Sequence, residues 1–308
     1  MSPAFVVVDK PVGVTSHDIV RILRSVTGEK AGHTGTLDPF ATGVLPLALG
    51  RATRFIQFLD ESEKVYDATI AFGSSTTTGD PEGSVVESAG PPELARLDEV
   101  IASFLGERMQ TPPAYSAVKV DGRRLYEYAR AGIEKRARPR PITIGGVEVL
   151  EASEEALRVR IRCSRGTYVR VLGAEIAESL GTVGHLVALR RLRSGPFSLE
   201  GALDLSTLSR LATDQEDWDR AFRRNRNAPD WLEWKPREEV AEALGAWTTP
   251  MAPAFRHLPA RELSAEQQRK LGFGQLVPGP AGRWVALYEG EFQAVLDGGR
   301  ILKSLAGG

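Results

Sequence analysis

Residues Gly32 to Gly50 read GHTGTLDPFATGVLPLALG. The glycines, with prolines at 39 and 46, exclude both a regular helix and a central strand, so a loop leading into buried structure is expected. At its middle Asp38 precedes Pro39, which biases the aspartate toward extended backbone and directs the chain after it. Val44, Leu45, Leu47, Ala48 and Leu49 then form an apolar run that anchors the turn to a core. One carboxylate is thereby held on a stiffened turn. A plain turn, in which Asp38 bonds its own backbone, is the commoner reading of Asp-Pro taken alone.

Upstream, AFVVVD at 4 to 9 is expected to be a short buried strand and KPVGVTS at 10 to 16 a Pro/Gly turn. Ser16 is expected to cap a helix built on Ile19, Ile22, Leu23 and Val26, which exits at Gly28. Downstream, a short helix is expected over Arg51 to Leu59 and a strand over Val65 to Phe72, with Tyr66, Ala68, Ile70 and Phe72 sharing one face. A tyrosine there is most often core. A polar loop from Ser74 to Gly83 holds Asp80, and Leu94 to Leu105 carries an amphipathic helix. A Pro-rich turn and basic hairpin follow over 111 to 125, then an exposed basic stretch from Arg130 to Arg140. In LRVRIRC, Leu157, Val159, Ile161 and Cys163 face the core while Arg158, Arg160 and Arg162 face out. Tyr168 and Arg170 sit where that strand meets a helix carrying Leu172, Ile176 and Leu180 and stopped by Gly181. The plain role for Arg170 is a surface ion pair with Glu175 or Glu178, worth less than about 1 kcal/mol. His185 to Arg193 reads as another strand, and short strands near 284–287, 292–296 and 301–305 suggest a small β-barrel.

With 308 residues, 42% hydrophobic and 26% charged, the composition is that of an ordinary soluble globular chain of one sizeable domain and one small one. No stretch is long enough to span a bilayer and the N-terminus lacks signal-peptide features, so the cytoplasm is the expected location and no membrane partner is expected. Cys163 is the only cysteine, and the four histidines form no ligand motif, so neither a disulfide nor a metal is expected. The net charge is −1, but residues 119 to 193 hold 16 Lys/Arg against 9 Asp/Glu. That surplus suits an anionic partner or a solvated face.

The segment GHTGTLDPFATGVLPLALGRATRF resembles the catalytic motif of the pseudouridine synthases, in the TruB-type branch that modifies the T-loop of transfer RNA. KPVGVTS, Tyr66, Arg165 to Arg170 and LRRLRSG extend the resemblance over most of residues 5 to 197. It implies an α+β pseudouridine synthase fold with a mixed, largely antiparallel sheet flanked by helices and loops. A small C-terminal β-barrel of the PUA type is implied with it. The expected division is a catalytic domain over 1–250, with 213–245 an insertion holding three tryptophans, and an RNA-binding domain over 251–308. The family's essential aspartate falls on Asp38, and Tyr66 falls where a ring packs on the target base with its hydroxyl suited to proton transfer. The resemblance sets Arg170 against the catalytic carboxylate, Leu189 in the wall of the uracil pocket, and Lys10, Asp80 and Tyr168 beside the site. His33, five residues before Asp38, is a candidate to fill the space left by a flipped base; a loop histidine bonded to backbone is the plain alternative.

The implied activity is isomerisation of uridine 55 in the T-arm stem-loop of tRNA by a chain expected to act as a monomer without a cofactor. Breaking the N1–C1′ bond, turning the base and joining C5 to C1′ needs a carboxylate and a group that removes the C5 proton. Attack at C1′, attack at C6 and assistance of glycal formation are all compatible with one aspartate. A glycoside hydrolase also attacks C1′ but needs a second carboxyl group about 5 to 9 Å away, for which Asp80 is the candidate. A binding-only RNA-folding protein is the third class.

Overall fold

The YDATIAF alternation folds as expected, into a strand over Lys64–Phe72 whose residues alternate between buried and half-buried. The structure, a computed structural model, describes residues 2–60, 63–214 and 235–306. They form two compact units: one from residues 1–39, 43–60 and 195–308, the other from 40–42 and 61–194.

In the second unit, Lys64–Phe72 is flanked on one side by Ala156–Cys163 and on the other by Gly184–Ser194, both antiparallel. Arg140–Ala152 and Gly106–Gln110 extend the sheet beyond Ala156–Cys163, again antiparallel. The 13-residue strand Arg140–Ala152 is not apparent from the sequence pattern, because a bulge between Ile144 and Gly146 breaks its alternation at Gly145-Gly146. The helix Val169–Ser179 buries Leu172 and Ile176, and Gly181, at φ 78°, follows its C-cap. The helix expected over 94 to 105 is a 3₁₀ turn over Leu94–Arg96 followed by Leu97–Ser103.

Cys163 lies opposite Lys64 in this sheet and is 2% exposed. Burial pushes its thiol up to about 11, so almost no thiolate exists at neutral pH. The native protein is expected to resist thiol reagents at pH 8 and to label fully in denaturant. Fast native labelling, followed by absorbance of the released chromophore, would contradict this.

In the first unit, Ala4–Lys10 pairs antiparallel with Thr248–Pro250 and with residues 43–49 of the strand Thr42–Leu49. The stretch expected to be only a loop thus contains a buried strand despite Pro46. The reason is geometric: the Pro46 carbonyl accepts from the Thr34 amide at 3.0 Å, and a residue's N–H and C=O point the same way along a strand. The missing N–H therefore faces the Thr34 side and costs the Ala4–Lys10 ladder nothing. The expected helix at 51 to 59 is a 3₁₀ helix over Gly50–Phe58. Of the expected insertion, residues 215–234 with all three tryptophans lie outside the described residues; Arg237–Gly245 is a helix.

The C-terminal strands Arg283–Tyr288, Glu291–Asp297 and Arg300–Ser304 fall where expected, joined by a parallel strand over Ala260–Glu262. This small sheet is apolar on both faces. Trp284, Ala286, Ala294 and Leu296 pack with Leu263, Leu271 and Val277, and the Trp284 indole donates to the Gly298 carbonyl at 2.6 Å. Val285, Phe292 and Val295 belong to a different cluster with Phe5, Val44, Phe55, Phe197 and Phe255. A bulge at Gln293, between the Ala286–Ala294 and Leu287–Phe292 pairs, turns Phe292 to that second face.

Candidate active site

Asp38 is half-buried on the segment between Ala31–His33 and Thr42–Leu49. Its neighbours on both sides are tied to KPVGVTS. Leu37 exchanges two hydrogen bonds with Ser16: its amide donates to the Ser16 hydroxyl at 2.8 Å, and that hydroxyl donates to the Leu37 carbonyl at 3.0 Å. The Pro39 carbonyl accepts from the Gly13 amide at 2.9 Å and from Lys10 Nζ at 3.2 Å. Gly13 adopts φ 84°, a backbone that L side chains rarely take. Lys10 is fully buried and also donates to Pro11 and Val14 carbonyls at 2.9 and 2.7 Å. Lys10 thus supports the loop through main-chain contacts.

Ser16 is not the helix cap expected of it. Thr15 takes that place in a reciprocal capping box with Asp18, three residues on, as the motif requires. That leaves the Ser16 hydroxyl for Leu37. His33 ends a short strand opposite Leu47, and the loop to Asp38 begins just after it.

In the second unit, Tyr66 is 7% exposed and lies directly opposite Ile161 on one side and Arg191 on the other. Leu189, opposite Ala68, shares its face. The residues between them point the other way: Asp67 pairs with Arg160, whose Nε and one terminal guanidinium nitrogen donate to the carboxylate at 2.8 and 3.0 Å. The arginine face of LRVRIRC is therefore opposite the face that carries Tyr66. Exposed pairs also take up part of the charge of the 130–140 stretch, Lys135 with Asp121 and Arg136 with Glu134.

Arg170 is 4% exposed and does not form the surface pair weighed for it; Glu175 bonds Arg108 instead, at 3.1 Å. Arg170 donates to the Thr78 and Tyr115 carbonyls at 2.6 and 2.9 Å and lies 3.4 Å from the Asp80 carboxylate. Asp80, 3% exposed, also accepts from the Thr78 hydroxyl and from the Glu82 amide at 3.0 Å. Tyr168 occupies the N-cap position of the Arg170 helix, and its amide and carbonyl both bond the buried Gln110 side chain, at 2.8 and 3.2 Å. Gln110 was not anticipated: 58 residues separate the partners and no local motif marks them.

The first unit thus carries a carboxylate on a fixed loop, and the second carries a phenol on a rigid strand. Residues 22–169 match the TruB family pseudouridylate synthase (N terminal domain). The fold agrees with that class: the chain resembles a chain of a Cbf5-Nop10-Gar1 complex with a TM-score of 0.66 at 28% identity, covering 96% of this chain and 78% of that one. The tRNA pseudouridine synthase B of Aromatoleum aromaticum is 38% identical over 97% of this chain and 92% of its own length. That of Cupriavidus pinatubonensis is 40% identical over 95% and 89%. The Psychrobacter cryohalolentis protein of the same name is 46% identical over 68% of this chain, the match spanning 61% of that relative. The chain belongs to the TruB family of pseudouridylate synthases. Among the described residues, no helix is long and apolar enough to cross a membrane.

Proposed function

We propose that this protein is a tRNA pseudouridine synthase that isomerises the T-loop uridine at position 55 of a flipped-out T-arm substrate. The observation that carries the reading is Asp38 on a loop whose flanking residues are pinned at their backbone groups by the Ser16 and Lys10 side chains, in a chain of this family. Asp38 is the group that acts at the ribose or base carbon, and the N1–C1′ bond is exchanged for a C5–C1′ bond with loss of the C5 proton. Tyr66 stacks on the uracil and takes that proton. Arg170 supports the ionised carboxylate of Asp38, since a neighbouring cation favours it. Leu189 and Tyr168 line the base, Lys10 and Asp80 hold the surrounding loops, and His33 fills the stack the base has left. Residues 1–250 carry the chemistry and 251–308 add RNA contacts through a PUA-like domain. Flipping costs a few kcal/mol, which stacking and phosphate contacts offset. The protein acts as a monomer in the cytoplasm and needs no cofactor.

A hydrolytic role for Asp80 has little support, because its oxygens already serve Arg170, Thr78 and the Glu82 amide. Release of tritium from a tRNA transcript labelled at uridine C5 tests the reading. Isomerisation expels the label and leaves the strand intact. A hydrolase would free uracil, and a binding protein would do neither.

A further inference from the structure

Two side chains of KPVGVTS bond the main chain beside Asp38: Lys10 reaches the Pro39 carbonyl, and the Ser16 hydroxyl reaches Leu37. Ser16 is 2% exposed, lies 21 residues from its partner, and satisfies both main-chain groups of Leu37 at once. A hydroxyl can donate and accept together, so a single small side chain closes the pattern that a neighbouring strand would otherwise supply. The Leu37 carbonyl belongs to the same peptide plane as the Asp38 amide. Fixing it fixes the plane from which the Asp38 side chain departs. On the other side, the Pro39 ring sets its own φ, and the Pro39 carbonyl is held by Gly13 and Lys10. Ser16 therefore restrains the entry to Asp38, whereas the bonds from Gly13 and Lys10 to the Pro39 carbonyl act on the exit.

From this geometry we infer that Ser16 is a positioning residue for Asp38, holding the carboxylate in its reactive placement without touching substrate. The inference rests on the assignment of the chemistry to Asp38. Removing the hydroxyl leaves a buried amide and carbonyl to find new partners, and the loop must shift to let them. Displacement of a reacting group by about 1 Å can cost on the order of 100-fold in rate.

The experiment compares Ser16→Ala, Ser16→Cys and Thr15→Ala in the full-length protein, using a T-arm transcript labelled at uridine C5. Single-turnover tritium release at saturating RNA, RNA affinity and melting temperature are read for each. Ser16→Ala is expected to lower the rate by about 10- to 100-fold with affinity within about two-fold of the parent. Ser16→Cys, whose thiol is a weak donor and acceptor, should fall between; it also serves if the alanine variant does not fold. Thr15→Ala removes the capping box of the same helix. It is expected to lower the melting temperature at least as much as Ser16→Ala while keeping the parental rate. A near-parental rate in Ser16→Ala and Ser16→Cys would overturn the inference, as would equal rate losses in the Ser16 and Thr15 variants. An active Asp38→Asn enzyme would instead remove the assignment on which the inference rests.

Discussion

Asp38→Asn is expected to fold, to bind a T-arm RNA within a few-fold of the parent, and to release tritium more than about 10⁴-fold more slowly, the scale of losing a residue that acts covalently or as its equivalent. Folding is spared because the loop is held by the backbone groups of Leu37 and Pro39, none of which involves the altered oxygen. Affinity is spared because RNA binding rests on phosphate contacts and stacking. What the variant loses is the negative charge and the nucleophilic oxygen. Single-turnover release at saturating RNA, beside filter binding, separates the two effects. Turnover at a substantial fraction of the parental rate would take Asp38 out of the chemistry.

Tyr66→Phe is the second large effect. The ring stays between Ile161 and Arg191 in the sheet, so stability and RNA affinity should barely change. If the hydroxyl carries the C5 proton, single-turnover rate should fall by about 10²- to 10⁴-fold, the range for a lost general base. Tyr66→Ala removes the ring as well. It should weaken RNA binding by roughly 1 to 3 kcal/mol for a lost stacking platform, and it also leaves a cavity in the sheet face. Equilibrium binding and single-turnover rates for both variants distinguish the roles. A near-parental rate in Tyr66→Phe would reduce the tyrosine to a stacking surface.

The strands around Tyr66 were legible because one face of each is buried, which writes a two-residue period into YDATIAF and LRVRIRC. The same logic fails where a bulge interrupts it, as at Gly145-Gly146, or where a strand is short and exposed along its length, as at Ala260–Glu262. The position of Asp38 was legible from its motif. Its restraint was not: Ser16 and Leu37 meet across 21 residues and Gln110 and Tyr168 across 58, and nothing local in either segment marks a partner. Composition located the basic surplus but not its side of the sheet. Only the register shows that Arg160 answers Asp67 on the face away from Tyr66.

The two-sided burial of the C-terminal sheet makes it a keystone that cannot be lifted out. Cutting the chain after Pro250 would strip Phe255, Val285, Phe292 and Val295 from the cluster that also seats Phe5, Phe55 and Phe197. Losing one buried phenylalanine side chain commonly costs about 3 to 5 kcal/mol, and a whole domain is stable by only about 5 to 15 kcal/mol. A fragment of residues 1–250 is therefore expected to be insoluble or to lack a cooperative thermal transition, and a melt within a few degrees of the parent would refute this. The RNA contacts proposed for this part of the chain are better probed without excision. Phe273 and Leu276, 75% and 71% exposed, can be exchanged for serine without opening either core.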